Sequence, residues 1–186
     1  MAASNLNRNF LAETERLLLR ELDFSDEKDL FEMDSDPEVH RFIDKQPVKT
    51  PEEVRKVIIM IRKQYQENGI ARWAVTEKAT GECIGWSGLK FHRNPLNNHV
   101  DIYELGYRFK RKHWGKGYAT ESSKAVIEYA FRHLPVTTLY AITDPDNTQS
   151  RRVLEKLGFV LTEIFDYDGV ATTWYELHQH HSISGE

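Results

Sequence analysis

The stretch RKHWGKGYATE, residues 111–121, sets Gly115 and Gly117 one residue apart behind Arg111, Lys112 and His113, with Lys116 between the glycines. Val126, Ile127, Ala130, Phe131 and Leu134 follow at helical spacing until Pro135 stops the run. Upstream, Val100 to about Phe109 alternates as a strand, with Tyr103, Leu105, Tyr107 and Phe109 on one face and Ile102, Glu104 and Gly106 on the other. Strand, glycine loop and helix together make an anion site. The first amides of a helix lack internal partners, and the helix dipole adds partial positive charge. A phosphate-bearing ligand is the simplest inference. A tight turn with a solvated basic rim is the alternative that the glycines alone leave open.

The remaining sequence builds an α/β fold with a mixed sheet around that unit. Glu15–Leu22 reads as a first strand after a loose, polar N-terminus, and Asp26 to about Met33 as a short helix. Thr50, Pro51 and Glu53 supply an N-cap, a first-turn proline and the glutamate of a capping box for a helix over 51–67. Residues 73–76 and 83–91 read as a hairpin turning at Thr80 and Gly81. Thr138–Thr143 is a strand, Asn147 starts a short helix ending before Gly158, and strands at about 159–165 and 172–178 finish the chain. With 186 residues and neither repeat nor linker, a single domain is expected.

Composition narrows the function. Hydrophobic residues are 40% and charged residues 29%, so the chain can fold without a partner. A net charge of −4 gives no general attraction to nucleic acid or an anionic membrane, so any anion site is local. Cys83 is the only cysteine and cannot form an intramolecular disulfide; no apolar run reaches signal-peptide or membrane-span length. A cytoplasmic protein, monomer or homodimer, is expected.

The spacing of the glycine loop excludes some ligands. Gly-x-x-x-x-Gly-Lys-Ser/Thr is absent, which argues against a nucleoside triphosphate loop. A dinucleotide site needs a glycine or alanine where Thr120 stands, and a suitably placed acid; Glu128 and Asp144 are badly placed. Lys112-x-x-Gly115-x-Gly117, continued by Tyr118-Ala119-Thr120-Glu121, instead resembles the Arg/Gln-x-x-Gly-x-Gly/Ala motif of the GNAT acyltransferases. Asn147-x-x-Ser150 followed by RVLEKLGF (152–159) resembles the cofactor-contacting helix of the branch that includes the ribosomal-protein N-acetyltransferases. The element order over about 15–178 agrees with that fold.

The resemblance implies an N-acetyltransferase that moves an acetyl group from acetyl-CoA directly to an amine, with no metal. Main-chain groups at Tyr107, Arg108 and Phe109 would hold the pantetheine arm, and residues Lys112, His113, Trp114, Gly115, Lys116, Gly117, Tyr118, Ala119 and Thr120 the pyrophosphate, with Asn147 near the arm. Lys112 replaces the family's usual Arg or Gln, keeping charge but losing a bidentate fork. Glu104 is the candidate base. Leu154 stands where many members carry an acidic tyrosine, so Ser150 is the candidate acid for the leaving thiolate. A protein N-terminal α-amine is the acceptor suggested by this branch. A small-molecule amine or antibiotic, and a non-catalytic acyl-CoA sensor motivated by Leu154, stand as alternatives.

Several other residues invite simpler readings. Asn147 suits an N-cap. Trp73, Trp86 and Trp174 fall on strands, where packing is the default. His178, His180 and His181 read as a solvated tail, and Cys83 as unreactive. An acceptor groove is expected from the first two helices and loops 40–50, 92–99 and 166–171, with Asp44, Asp166 and Asp168 suiting a cationic acceptor.

Overall fold

A computed structural model describes residues 10–179. Strands β1 (Phe10–Glu13) and β2 (Leu17–Glu21) lead into helices α1 (Glu27–Asp34), α2 (Pro37–His40) and α3 (Pro51–Asn68). Strands β3 (Arg72–Glu77), β4 (Cys83–His92) and β5 (Ile102–Phe109) follow. Then come α4 (Tyr118–His133), β6 (Thr138–Thr143), α5 (Thr148–Lys156), β7 (Val160–Tyr167) and β8 (Val170–His178). All eight strands form one sheet in the order β1-β2-β3-β4-β5-β6-β8-β7.

Each sheet face carries its own core. Leu17, Leu19, Val75, Leu105 and Leu139 meet Val126 and Ala130 of α4 and Leu154 of α5. On the other face Ala74, Cys83 and Trp86 meet Leu30 and Met33 of α1 and Val54, Ile58 and Ile61 of α3. Small side chains bring α4 close to the sheet: Ser122 and Ser123 are buried, and Ser123 Oγ lies 3.3 Å from Ser87 Oγ of β4. Among the described residues the only parallel neighbours, β5 and β6, share a single register pair, Glu104 with Tyr140. β5 pairs with β4 along its whole length, from Ile102 to Phe109, so the sheet splays on the β6 side beyond Glu104.

Four sequence expectations need correction. Phe10–Glu13 is a strand rather than loose chain, because its backbone pairs with β2; four residues are too few to show periodicity. Residues 37–40 add a short helix capped by the Asp36 side chain, which accepts from the Glu38 N–H. The capping box at α3 does not form: the Thr50 hydroxyl donates to Glu53 Oε1 at 3.1 Å, leaving the helix amide to other partners. Residues 166–171 are largely a hairpin, turning at Asp168 (φ 52°) and Gly169 (φ 84°), as two-residue turns with both central φ positive do.

Candidate active site

Gly115 and Gly117 adopt left-handed backbone, φ 74° and 83°, which a side chain would strain. Gly117 is the N-cap of α4, and no side chain caps the helix. The first α4 amides are thus left for a ligand or solvent. Arg16, on the turn before β2, fixes the loop: its Nη1 donates to the Lys116 carbonyl at 2.9 Å and its Nε to Glu121 Oε2 at 2.7 Å. Glu121 also accepts from the Thr14 hydroxyl at 2.6 Å and the Arg16 N–H at 3.0 Å. Glu15, Gly117, Thr120, Glu121, Lys124 and Lys156 line an open groove of ≈ 430 Å³ beside this helix end.

The basic residues of the motif divide sharply. Lys112 Nζ pairs with Glu82 at 2.7 Å and Glu32 at 3.0 Å. Arg111 pairs with Asp36 at 2.9 Å. His113 is buried, and burial together with nearby Lys116 lowers its basicity, so its ring adds no charge to the loop. Lys116 stays exposed, and Tyr118 is buried with its hydroxyl donating to Glu77. Ala119 and Thr120 form the half-buried first turn of α4. Local charge at the helix end therefore comes from Lys116, and from Lys124 and Lys156, which the motif did not contain.

Beyond the splay point, β5 supplies main chain to the slot. The Phe109 carbonyl accepts from the Trp114 indole N–H at 2.8 Å, so it is already engaged. The Arg108 side chain crosses to the α1 face and donates to Asp34 Oδ1 at 2.8 Å. Tyr107 points to the opposite face, where its hydroxyl lies 3.0 Å from Ser150 Oγ and donates to the Ser150 carbonyl at 3.1 Å. Burial raises the Tyr107 phenol's pKa, keeping it protonated. Asn147 caps α5, its side chain accepting from the Ser150 N–H at 3.1 Å. Leu154 is buried in the core.

Glu104 has a partner that sequence spacing does not show. His92 Nε2 lies 2.5 Å from Glu104 Oε2, both side chains being mostly buried. Only the β4–β5 register, which sets His92 opposite Ile102, brings the two together. Glu104, Gly106 and Arg108 share the face that carries Trp86, as alternation requires; a Cβ on Gly106 would lie 3.3 Å from the Trp86 ring. Trp73 and Trp174 are buried outright and pack.

Other expectations resolve into structure. Asp29, Glu32 and Glu82 converge closely enough to hold a cation, and the buried Lys110 ammonium fills that place at 2.7–2.8 Å from each. Burial pushes the Cys83 thiol up to about 12. His178 contacts Thr138 Oγ1 at 3.0 Å, while His180 and His181 lie outside the described residues. Loops 92–99 and 166–171 meet around an open groove of ≈ 450 Å³. The expected acidic lining for a cationic acceptor is largely engaged: Asp44 is hydrogen-bonded to His40 at 2.7 Å and Asp166 accepts from the Gly169 N–H.

Residues 16–160 match the sequence model of the Acetyltransferase (GNAT) domain. The chain belongs to the GNAT acetyltransferase family. It is 34% identical over 146 residues to Uncharacterized N-acetyltransferase p20 of Bacillus licheniformis, covering 78% of this chain and 80% of that one. An acetyltransferase structure from Agrobacterium tumefaciens superposes with TM-score 0.76 at 28% identity, over 90% of this chain and 94% of that one. The fold is also that of RimL, a ribosomal L7/L12 alpha-N-protein acetyltransferase solved with coenzyme A, with TM-score 0.75 at 19% identity over 91% and 97% of the two chains. This GNAT protein is an N-acetyltransferase, and acetyl-CoA is its family's co-substrate. Among the described residues no helix is long and apolar enough to cross a membrane.

Proposed function

We propose that this GNAT enzyme acetylates an α-amine by direct attack in a ternary complex, with Glu104 as base and Ser150 as acid. The observation that carries the reading is the placement of both groups beside the one point where β5 and β6 separate. Glu104 sits in the single β5–β6 pair, and the Ser150 hydroxyl is held by Tyr107 of β5 at the start of α5. The uncapped start of α4 and the left-handed glycines suit a pyrophosphate, and the splayed slot suits an extended arm, so the residues present fit acetyl-CoA.

Acetyl-CoA supplies an acetyl group already activated as a thioester. Main-chain N–H groups of β5 hold and polarise its carbonyl. Glu104 takes a proton from the acceptor's ammonium, directly or through water, and the lone pair so freed on the neutral amine forms the N–C bond. The C–S bond breaks, and Ser150 passes its hydroxyl proton to the departing sulfur, aided by the phenol of Tyr107. An α-amine, with a pKa near 8, asks less of a carboxylate base than a lysine near 10.4.

A protein N-terminus is the first acceptor reading, supported by the Asn147-x-x-Ser150 pattern and the shared fold with RimL. A small-molecule α-amine is the second, favoured by the buried charge on β3 described below. The test begins with thermal melts in acetyl-CoA and, separately, NADH, for wild type and Gly117→Trp. Saturating ligand at 100 times its dissociation constant adds about 2.7 kcal/mol. A rise with acetyl-CoA alone, lost in the variant, supports the site, and no rise removes it. Thiol release with N-terminal peptides and with small amines then separates the two acceptors.

A further inference from the structure

Arg72 stands at the start of β3 in an unusual position. Its register partner on β4 is Gly88, whose own partner on β5 is Gly106, so the three share one row and one face of the sheet. Trp86 and Arg108 form the neighbouring row on one side of it, and Lys90 and Glu104 the neighbouring row on the other. The Trp86 ring fills the trough above Gly106, and the Arg72 guanidinium stacks on that ring at 4.7 Å from its centroid. Arg108 lies over the same ring at 5.5 Å. Arg72 thus leans across β4 towards the strand that carries Glu104.

The charges on this face do not balance at Arg72. Asp34 is taken by Arg108, and Glu104 by His92. Among the described residues no carboxylate, carbonyl or hydroxyl lies within hydrogen-bond or ion-pair range of the Arg72 guanidinium, although its side chain is mostly buried. Five N–H donors are thereby left without a protein acceptor. Burial, and repulsion from Arg108, lower its pKa and outweigh the attraction of the Glu104 and Asp34 charges, neither of which bonds to it. Stacking on an indole recovers part of the lost solvation but supplies no acceptor for the N–H groups. A guanidinium is the side chain best matched to a planar, bidentate anion.

We propose that Arg72 is a specificity-determining residue of the acceptor site, binding a carboxylate carried by the same small molecule whose amine reaches Glu104. This rests on the reading of Glu104 as the base. By strand spacing, the Cα atoms of Arg72 and Glu104 lie roughly 12 Å apart on one face, two strands across and two residues along. Arg72 lies on the Trp86 ring at one end of that span and Glu104, held by His92, stands at the other, so an acceptor bridging them would lie along this face. The acceptor class is then an amino acid or a short amino-acid derivative with a free carboxylate, its ammonium end met by Glu104 and its anionic end by Arg72. Phosphonates and phosphates share the chemistry and are separated from carboxylates by the test.

The first measurement is kcat/KM, by thiol release from acetyl-CoA, for the free α-amino acids, their carboxamides and their aminophosphonate analogues, in wild type and Arg72→Gln. Wild type should prefer a carboxylate over its carboxamide by about 10- to 100-fold, and Arg72→Gln should erase that preference with the acetyl-CoA KM unchanged. Equal or better use of carboxamides by wild type, a preference that persists in Arg72→Gln, or a preference for the phosphonates overturns the assignment. The second measurement needs no turnover. Trp fluorescence of the coenzyme A-loaded enzyme is titrated with the N-acetylated amino acids at constant ionic strength. Saturable binding lost in Arg72→Gln but kept in Glu104→Gln supports the carboxylate site even if no amine is turned over, in which case the reading of Glu104 fails alone. No binding by any of them, with acetylation of other amines intact, overturns the Arg72 assignment and leaves the activity standing.

Discussion

The guanidinium of Arg16 and the carboxylate of Glu121 are joined by two contacts, Nε to Oε2 at 2.7 Å and Nη2 to Oε2 at 2.6 Å, across 105 residues of chain. Glu121 lies in the first turn of α4, where its charge also favours the helix dipole. Because the same guanidinium holds the Lys116 carbonyl, this pair fixes the orientation of the glycine loop.

Arg16→Ala should therefore weaken acetyl-CoA binding more than it weakens the fold. An exposed pair is worth only about 0–1 kcal/mol of stability. A loop that must present its amides together is more sensitive, and a rise of about tenfold in the acetyl-CoA KM is expected, with kcat at saturation little altered. Initial rates against acetyl-CoA concentration decide it; an unchanged KM would mean the loop is rigid without the clamp.

Glu104→Gln should lower kcat by about 10²-fold near neutral pH, in the range for loss of a general base. The deficit should shrink as pH rises past the acceptor's own pKa, near 8 for an α-amine, because the free amine then needs no base. A pH–rate profile of wild type and variant gives the answer. His92→Phe should show a smaller loss, since His92 orients Glu104 without touching the substrate. A deficit independent of pH would point to a binding role for Glu104 instead.

Ser150→Ala and Tyr107→Phe separate a proton donor from its support. Loss of the Ser150 hydroxyl should slow the acetylation step about tenfold. Tyr107→Phe should cost less, because the serine still stands beside the sulfur and loses only one hydrogen bond. A thiol with an ordinary pKa near 8.5 is a fair leaving group, so neither variant should be dead. Single-turnover rates that match wild type in both would show that water protonates the thiolate.

The glycine loop, the long helices and the alternation of β5 were legible because each is written in local pattern. The bonds that shape the site are not local. His92 reaches Glu104 only through the β4–β5 register, and Arg16 reaches Glu121 only because β2 begins beside α4. Lys112 illustrates the opposite case. Its place in the motif suggests a phosphate ligand, yet Glu32 and Glu82, from α1 and the turn before β4, claim its ammonium. Arg72 carried no signal, since one arginine at a strand start is ordinary until its neighbours are known to be a tryptophan face and two glycines.

Lys110 and Glu82 should make the fold sensitive to acid. Burial alone would raise the Glu82 carboxyl, but hydrogen bonds from Lys110 and Lys112 outweigh it and hold the group at about 2. A carboxyl whose pKa is lower folded than unfolded contributes its full stability above the unfolded value, near 4.3, and loses it as pH falls towards 2. Glu82→Gln should therefore be destabilised relative to wild type at pH 7, with the gap closing between about pH 4.5 and pH 2. Lys110→Met should cost more at pH 7 than loss of any one of its three partners, up to about 3–5 kcal/mol, because Asp29, Glu32 and Glu82 then keep only the exposed Lys112 to offset their charges. Urea unfolding at pH 7, 4 and 3 tests both; a Glu82→Gln gap that stays constant across those pH values would show that the carboxylate's charge is not what holds this end of the sheet to α1.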